Sequence, residues 1–191
     1  MSAARRNTPS YAVAAAPTCS ARASHVPRPS LGWWLGLSAT VIVLDQLTKA
    51  WIAASFRVGE NLALTSFFDL VFVFNAGAAF SFLRDAGGWQ TWFFIVLALG
   101  ISGWLVVMLR QHARERLLPM SLALILGGAL GNVIDRLRFG AVVDFLDFHW
   151  AGYHFPAFNV ADSAISVGVA LMLWHELFGK ESNHDRAREA R

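Results

Sequence analysis

Four stretches of mostly apolar residues dominate this chain, and each has the roughly 20 residues a helix needs to cross a bilayer. They run over roughly 32–54, 89–109, 117–136 and 157–178. Charged residues make up only 15% of the chain, against about 25% in a typical soluble domain, so the composition anticipates lipid as its solvent. The expected fold class is membrane α-helical, with four transmembrane helices. Around them the expectation is a basic, disordered, cytoplasmic tail over 1–30, one membrane unit over 31–180 and a short cytoplasmic end over 181–191.

The cations carry the orientation. Arg5, Arg6, Arg22 and Arg28 precede the first span, Arg110, Arg114 and Arg116 sit between the second and third, and Lys180, Arg186, Arg188 and Arg191 follow the fourth. Eleven of the 16 cations thus fall on one side of an even-numbered bundle, and the positive-inside rule makes that side cytoplasmic. Nucleic acid is not an expected partner, because its binding needs cations gathered on one folded face with stacking aromatics. The tail mixes small residues, Pro and Arg without the apolar core of a cleavable signal. Cys19 is the single cysteine, which excludes an intrachain disulfide and reads as a bystander.

Against this apolar background the polar residues stand out. A carboxylate in hydrocarbon costs several kcal/mol, so an intramembrane acid is a functional candidate by default. Asp45 lies about 20 Å into the first span at 1.5 Å per residue, with Lys49 one turn on, a spacing that allows an ion pair. In the third span Gly127 and Gly131 offer a small-residue patch for close helix contact, and Gly128, Asn132, Asp135 and Arg136 keep near one face. Asp135 and Arg136 can be read as an interfacial charge pair; Asn132, deeper, is harder to dismiss. In the fourth span Asn159, Asp162 and Ser166 form one polar stripe, with Asp162 about 9 Å below the outer end. The second span has no ionisable interior residue and reads as scaffold.

Two outer segments are too short to cross. Phe67-Phe68-Asp69-Leu70-Val71-Phe72-Val73-Phe74 reads as a strand or hairpin, followed by Asn75 and a Gly/Ala run. The segment 137–156 alternates again and carries Asp144 and Asp147. Three apart in a strand, these acids point to opposite faces, and the spacing leaves open which one faces a site. Asp45, Lys49, Asn132, Arg136, Asn159 and Asp162 converge at one depth from three helices, and Asn75 and Asp144 join them from outside.

Zinc is poorly supported: after His175-Glu176 the place of a second helical His is Gly179. A Ser–Lys dyad of Lys49 with a hydroxyl such as Ser81 is conceivable, but Asp45 one turn away holds Lys49 charged. Two carboxylates with polar supports fit better, one ionised as base toward water and the other protonated to polarise a carbonyl. The competing classes are a proton- or ion-coupled transporter and a non-catalytic lipid-binding scaffold. Crowding of the polar residues in one leaflet argues against the transporter.

Asp45-Gln-Leu-Thr-Lys49, Asn75-Ala-Gly-Ala-Ala-Phe-Ser81, Gly128-Ala-Leu-Gly-Asn132-Val-Ile-Asp135-Arg136, Val142-Val-Asp144-Phe and Phe158-Asn159-Val-Ala-Asp162-Ser together resemble the bacterial lipoprotein signal peptidase (signal peptidase II) family, from about residue 32 to 178. The resemblance implies four transmembrane helices with a small extracytoplasmic β-cradle. It also implies an aspartic endopeptidase that removes the signal peptide of diacylglyceryl-modified prolipoproteins, cutting just before the lipidated Cys. Carried over, Asp144 and Asp162 are the catalytic pair, which decides between Asp144 and Asp147. Asp45, Lys49, Asn75, Asn132, Arg136 and Asn159 become supporting or substrate-orienting residues. No cofactor or metal is called for. The expected setting is the inner membrane, multi-pass, with both termini cytoplasmic, the site on the extracytoplasmic face, membrane lipid around it and a monomeric state.

Reporter fusions check the orientation. Fusions at residue 191 and within 111–116 should report cytoplasm, and one within 60–70 the outside. Finding 111–116 outside would reverse the assignment.

Overall fold

The computed structural model describes residues 29–77 and 88–178. The tail with Cys19, the Ala78–Ser81 end of the Asn75 motif and the C-terminal cations from Lys180 onward lie outside the described residues. The four expected spans are four helices, α1 (Leu31–Ser55), α2 (Trp89–His112), α3 (Leu117–Phe139) and α4 (Val160–Phe178), each long and apolar enough to cross a membrane. Between them lies a small antiparallel sheet in the order β1 (Asn61–Ala63), β2 (Phe68–Asn75), β3 (Val142–Trp150) and β4 (Tyr153–His154). The expected strands are therefore present, at the end of the bundle where α1 and α3 finish and α2 and α4 begin.

Helix α3 is the centre of the bundle and packs against the other three helices. Its glycines let them come close. A Cβ on Gly131 would stand 2.8 Å from Asp45 Oδ2, and one on Gly128 would run into the Ala161 carbonyl oxygen. Far from the sheet, Trp34, Leu105, Leu109, Leu118, Leu122 and Leu126 form the apolar core. Near the sheet, Ile52 of α1 packs with Phe72, Val143 and Phe145, seating β2 and β3 on the helix. Trp33, Trp92, Trp104 and Trp174 face outward, as expected of a surface solvated by lipid.

Helix α3 stops at Gly140, whose left-handed φ of 74° turns the chain while its amide bonds the Arg136 carbonyl at 3.0 Å, a conformation glycine adopts without steric cost. The sheet follows directly. β2 and β3 pair from Asn75↔Val142 to Phe68↔Phe148, with an irregularity between Leu70 and Val73 where β2 carries one more residue than β3. Such a bulge re-aims the side chains beyond it.

Helix α4 begins at Val160, three residues later than its apolar run suggests. Phe158 is drawn into an isolated bridge with Leu146; its carbonyl accepts from Phe145 and Leu146 and its amide donates to Leu146 at 3.0 Å. Asn159 is thus the residue before the helix, and its Oδ1 accepts from the Asp162 amide at 2.9 Å, as an N-cap does. The stripe expected over Asn159, Asp162 and Ser166 is a cap followed by a helix, and Asp162 sits in the first turn, shallower than the expected 9 Å.

Candidate active site

The carboxylates of Asp144 and Asp162 line one cavity of about 670 Å³ with Asn75, Asn132 and Arg136. Different elements deliver them. β3 carries Asp144, 2% exposed, and the first turn of α4 carries Asp162. Three asparagine amides fix them. Asn159 Nδ2 donates to Asp144 Oδ1 at 2.7 Å and Asn75 Nδ2 donates to Asp144 Oδ2 at 3.0 Å. Asn132 Nδ2 donates to Asp162 Oδ1 at 2.7 Å. Asn75 is itself oriented by the Gly77 amide on its Oδ1 at 3.0 Å. Burial, with the neighbouring Asp162 second, pushes the Asp144 carboxyl up to about 7, against the opposing pull of Asn75, Asn159 and Lys49. A carboxyl so placed exchanges its proton near neutral pH, which acid–base work requires.

Beneath the pair lies a buried ionic cluster. Lys49 Nζ is 2.8 Å from Asp45 Oδ2 and 2.9 Å from Asp135 Oδ2, and it donates to Asn132 Oδ1 at 3.0 Å. The ammonium thereby fixes the amide that holds Asp162. Asp45 and Asp135 each reach one residue short of a site carboxylate. Asp45 Oδ1 accepts from the Ala161 amide at 2.9 Å, and Asp135 Oδ2 accepts from the Val143 amide at 3.1 Å. Gln46 Nε2 joins the two acids, at 3.2 Å from Asp45 Oδ2 and 2.9 Å from Asp135 Oδ1.

The structure thus brings together all eight residues singled out in the sequence: Asp45, Lys49, Asn75, Asn132, Arg136, Asp144, Asn159 and Asp162. Arg136 sits at the rim, donating from Nη2 to the Gly77 carbonyl at 3.0 Å and lying over the Phe94 ring. Asp135, read in the sequence as an interfacial charge pair with Arg136, belongs instead to the buried cluster. It is 1% exposed and pairs with Lys49 instead of the adjacent Arg136. Its place one turn from Asn132 was the available signal. Lys49, enclosed by two carboxylates, is not the free base a Ser–Lys dyad needs, and Ser81 lies outside the described residues. Asp147 points away from the cavity, its Oδ2 meeting His154 Nδ1 at 2.8 Å.

A buried and a half-buried carboxylate on amide supports, at the end of a four-helix membrane bundle, fit one class: a multi-pass membrane enzyme of the aspartic peptidase kind. The family model described as signal peptidase (SPase) II matches residues 37–178, and the chain belongs to that family. A lipoprotein signal peptidase of Azoarcus sp. (strain BH72) is 60% identical over 144 residues, spanning 75% of this chain and 82% of the relative. Another, of Burkholderia vietnamiensis (strain G4 / LMG 22486), is 57% identical over 148 residues, spanning 78% and 89%. A bacterial membrane enzyme solved by the in meso method at 2.3 Å resolution superposes with a TM-score of 0.72 at 31% identity, covering 83% of this chain and 96% of that one.

The supports should separate by role. Lys49→Ala leaves two buried carboxylates facing each other, a change of the kind that costs about 3–5 kcal/mol, so the protein should accumulate poorly. Asp135→Asn should lower thermal stability in the same direction. Asn132→Ala and Asn159→Ala should cut precursor turnover while the protein still accumulates. Wild-type turnover in all of them would make the network purely structural.

Proposed function

We propose that this enzyme removes the signal peptide from diacylglyceryl-modified prolipoproteins, cutting just before the lipidated cysteine, with Asp144 and Asp162 as the catalytic pair. The observation that carries this reading is the shared cavity, in which a strand acid and a helix acid are held by separate amides. A lipid anchor keeps the scissile bond at the bilayer surface, and acids in the first turn of a span and the adjoining strand are at that level. The nucleophile in this reading is a water taken up between the carboxyls. The ionised one takes its proton as oxygen attacks the carbonyl carbon, and the protonated one donates to the carbonyl oxygen. As the tetrahedral intermediate collapses and the C–N bond breaks, its hydroxyl returns a proton to the second carboxyl, and the first gives the proton taken from water to the leaving nitrogen, the new amino terminus of the lipidated cysteine.

Arg136 and Asn75, on the cavity wall, orient substrate, and the Lys49 cluster holds both strand and helix. In this reading the sheet lies on the extracytoplasmic face, both termini are cytoplasmic, and one chain surrounded by lipid is the working unit. The tail 1–30 and the end 181–191 stay outside the catalytic unit over 31–180.

Asp144→Asn and Asp162→Asn keep shape but remove proton exchange, so each alone should abolish cleavage of a lipidated precursor by purified protein. Asp147→Asn should retain turnover at saturating substrate. The stability sign follows from the raised Asp144 carboxyl, which the folded chain keeps protonated where an unfolded chain ionises it. Its ionisation therefore lowers stability progressively between about pH 4 and 7, with no further change above. The melting temperature of Asp144→Asn relative to wild type should be near zero at the acid end and rise to a plateau above neutrality. Full cleavage by either dyad variant rules out the aspartic mechanism and brings the transporter and scaffold readings forward.

A further inference from the structure

On the face of β3 opposite Asp144, the sheet carries a polar ladder that the cleavage chemistry does not use. Asp69 of β2 and Asp147 of β3 are register partners, so two carboxylates stand directly across from each other, which weakens a sheet when both are ionised. Each meets a histidine. His149 Nε2 lies 3.1 Å from Asp69 Oδ1, and His154 Nδ1 lies 2.8 Å from Asp147 Oδ2. The two rings stack with centroids 4.9 Å apart. Asn61 of β1 closes the row, donating to Asp69 Oδ2 at 2.9 Å. Every strand contributes. The Asn61 amide first, and then His149, hold the Asp69 carboxyl below its usual range. Asp147 Oδ1 is buried without a partner among the described residues, so His154 is the group that answers its charge. In the adjoining α1–β1 turn, Arg57 and Glu60 bond within the turn, amide to carboxylate at 2.7 Å.

The ladder has a short path to the cavity. β4 is two residues long and meets β3 only through His149↔His154 and Trp150↔Tyr153. The next residues, Phe155, Pro156 and Ala157, line the cavity. The cavity wall is therefore held at its far end by the Phe158–Leu146 bridge and at its near end by a two-residue strand, fastened by the His154–Asp147 contact and by the Phe155 amide on the Phe148 carbonyl at 2.7 Å.

We propose that His149 and His154 are positioning residues whose protonation fastens the Phe155–Ala157 wall, so that substrate affinity falls as the ladder loses its cations. The proposal rests on the cavity being the peptidase site. Imidazole is the side chain that changes charge between about pH 5 and 8. On the acid side the row alternates in sign. Each imidazolium is closer to its own carboxylate, at 3.1 and 2.8 Å, than to the other ring at 4.9 Å, so attraction outweighs the repulsion between rings. With neutral rings in place of imidazolium, Asp69 and Asp147 face each other across the register with no cation beside them, and β4 loosens. The stabilisation is present on the acid side and lost toward the alkaline side.

The test measures KM and kcat for a lipidated precursor peptide in wild type and His154→Asn, which keeps a neutral donor near the Nδ1 position. Over about pH 5.5 to 8.5, wild-type KM should rise. A rise of about 1.5- to fivefold matches the size of cross-strand charge effects. His154→Asn should hold KM at the alkaline value throughout, with kcat following wild type. His149→Asn is read in the same way and serves if His154→Asn does not fold. Hydrogen-exchange protection over 147–158, corrected for intrinsic rates, should fall with pH in wild type and not in the variant. A wild-type KM–pH slope retained in both variants, or pH-independent protection in the wild type, overturns the ladder. A protein whose protection switches with pH but which does not cleave precursor keeps the ladder and refutes the peptidase reading.

Discussion

One ammonium group, that of Lys49, holds the site together. Buried among helices in a lipid-solvated bundle, it sits between Asp45 and Asp135 at 2.8 and 2.9 Å. A buried ion pair repays its desolvation only when the remaining lone pairs and protons are also satisfied. Here they are: Gln46, the Ala161 amide and the Val143 amide fill the carboxylates, and Asn132 takes a further proton of Lys49. The cluster therefore clamps the backbone just before each site acid, Val143 before Asp144 and Ala161 before Asp162. A strand and a helix that share no covalent neighbour are held in fixed relation through one cation.

The apolar bundle makes this clamp affordable and α3 makes it possible. Gly128 and Gly131 let α4 and Asp45 approach so closely that a methyl group on either glycine would collide. The same closeness excludes lipid and water from the ionic cluster, where electrostatic attraction is strongest. Above it, the cavity keeps Asp144 enclosed enough to retain its proton near neutral pH. Stability and chemistry thus draw on one gradient, from a dry ionic floor to a cavity open at the bundle end.

Much of this was legible in the sequence, for physical reasons. Hydrocarbon thickness fixes span length, so the four helices could be read from apolar runs alone. The cost of polar groups in lipid made Asp45, Lys49, Asn132 and Asp162 conspicuous. Asp135 was not, because Arg136 beside it offered a partner, whereas on a helix adjacent residues diverge by about 100° and Asp135 turns inward to Lys49. The start of α4 was misjudged because apolarity does not reveal that Phe158 is taken by a β-bridge, which makes Asn159 a cap. The histidine ladder depends on a two-residue turn in which Ala151 and Gly152 both have positive φ, 49° and 83°. Alanine seldom adopts that conformation, and the sequence gives little warning of it.

The central claim is that burial and the clamp leave the pair holding one exchangeable proton near neutrality. Infrared titration of the purified protein measures this directly, through the stretching band of protonated carboxyl groups. The account predicts a carboxyl that loses its proton near pH 7, as the Asp144 environment requires, with the band absent in Asp144→Asn. A spectrum in which every carboxyl is already ionised at about pH 5, above the ordinary range of Asp and Glu, would contradict it.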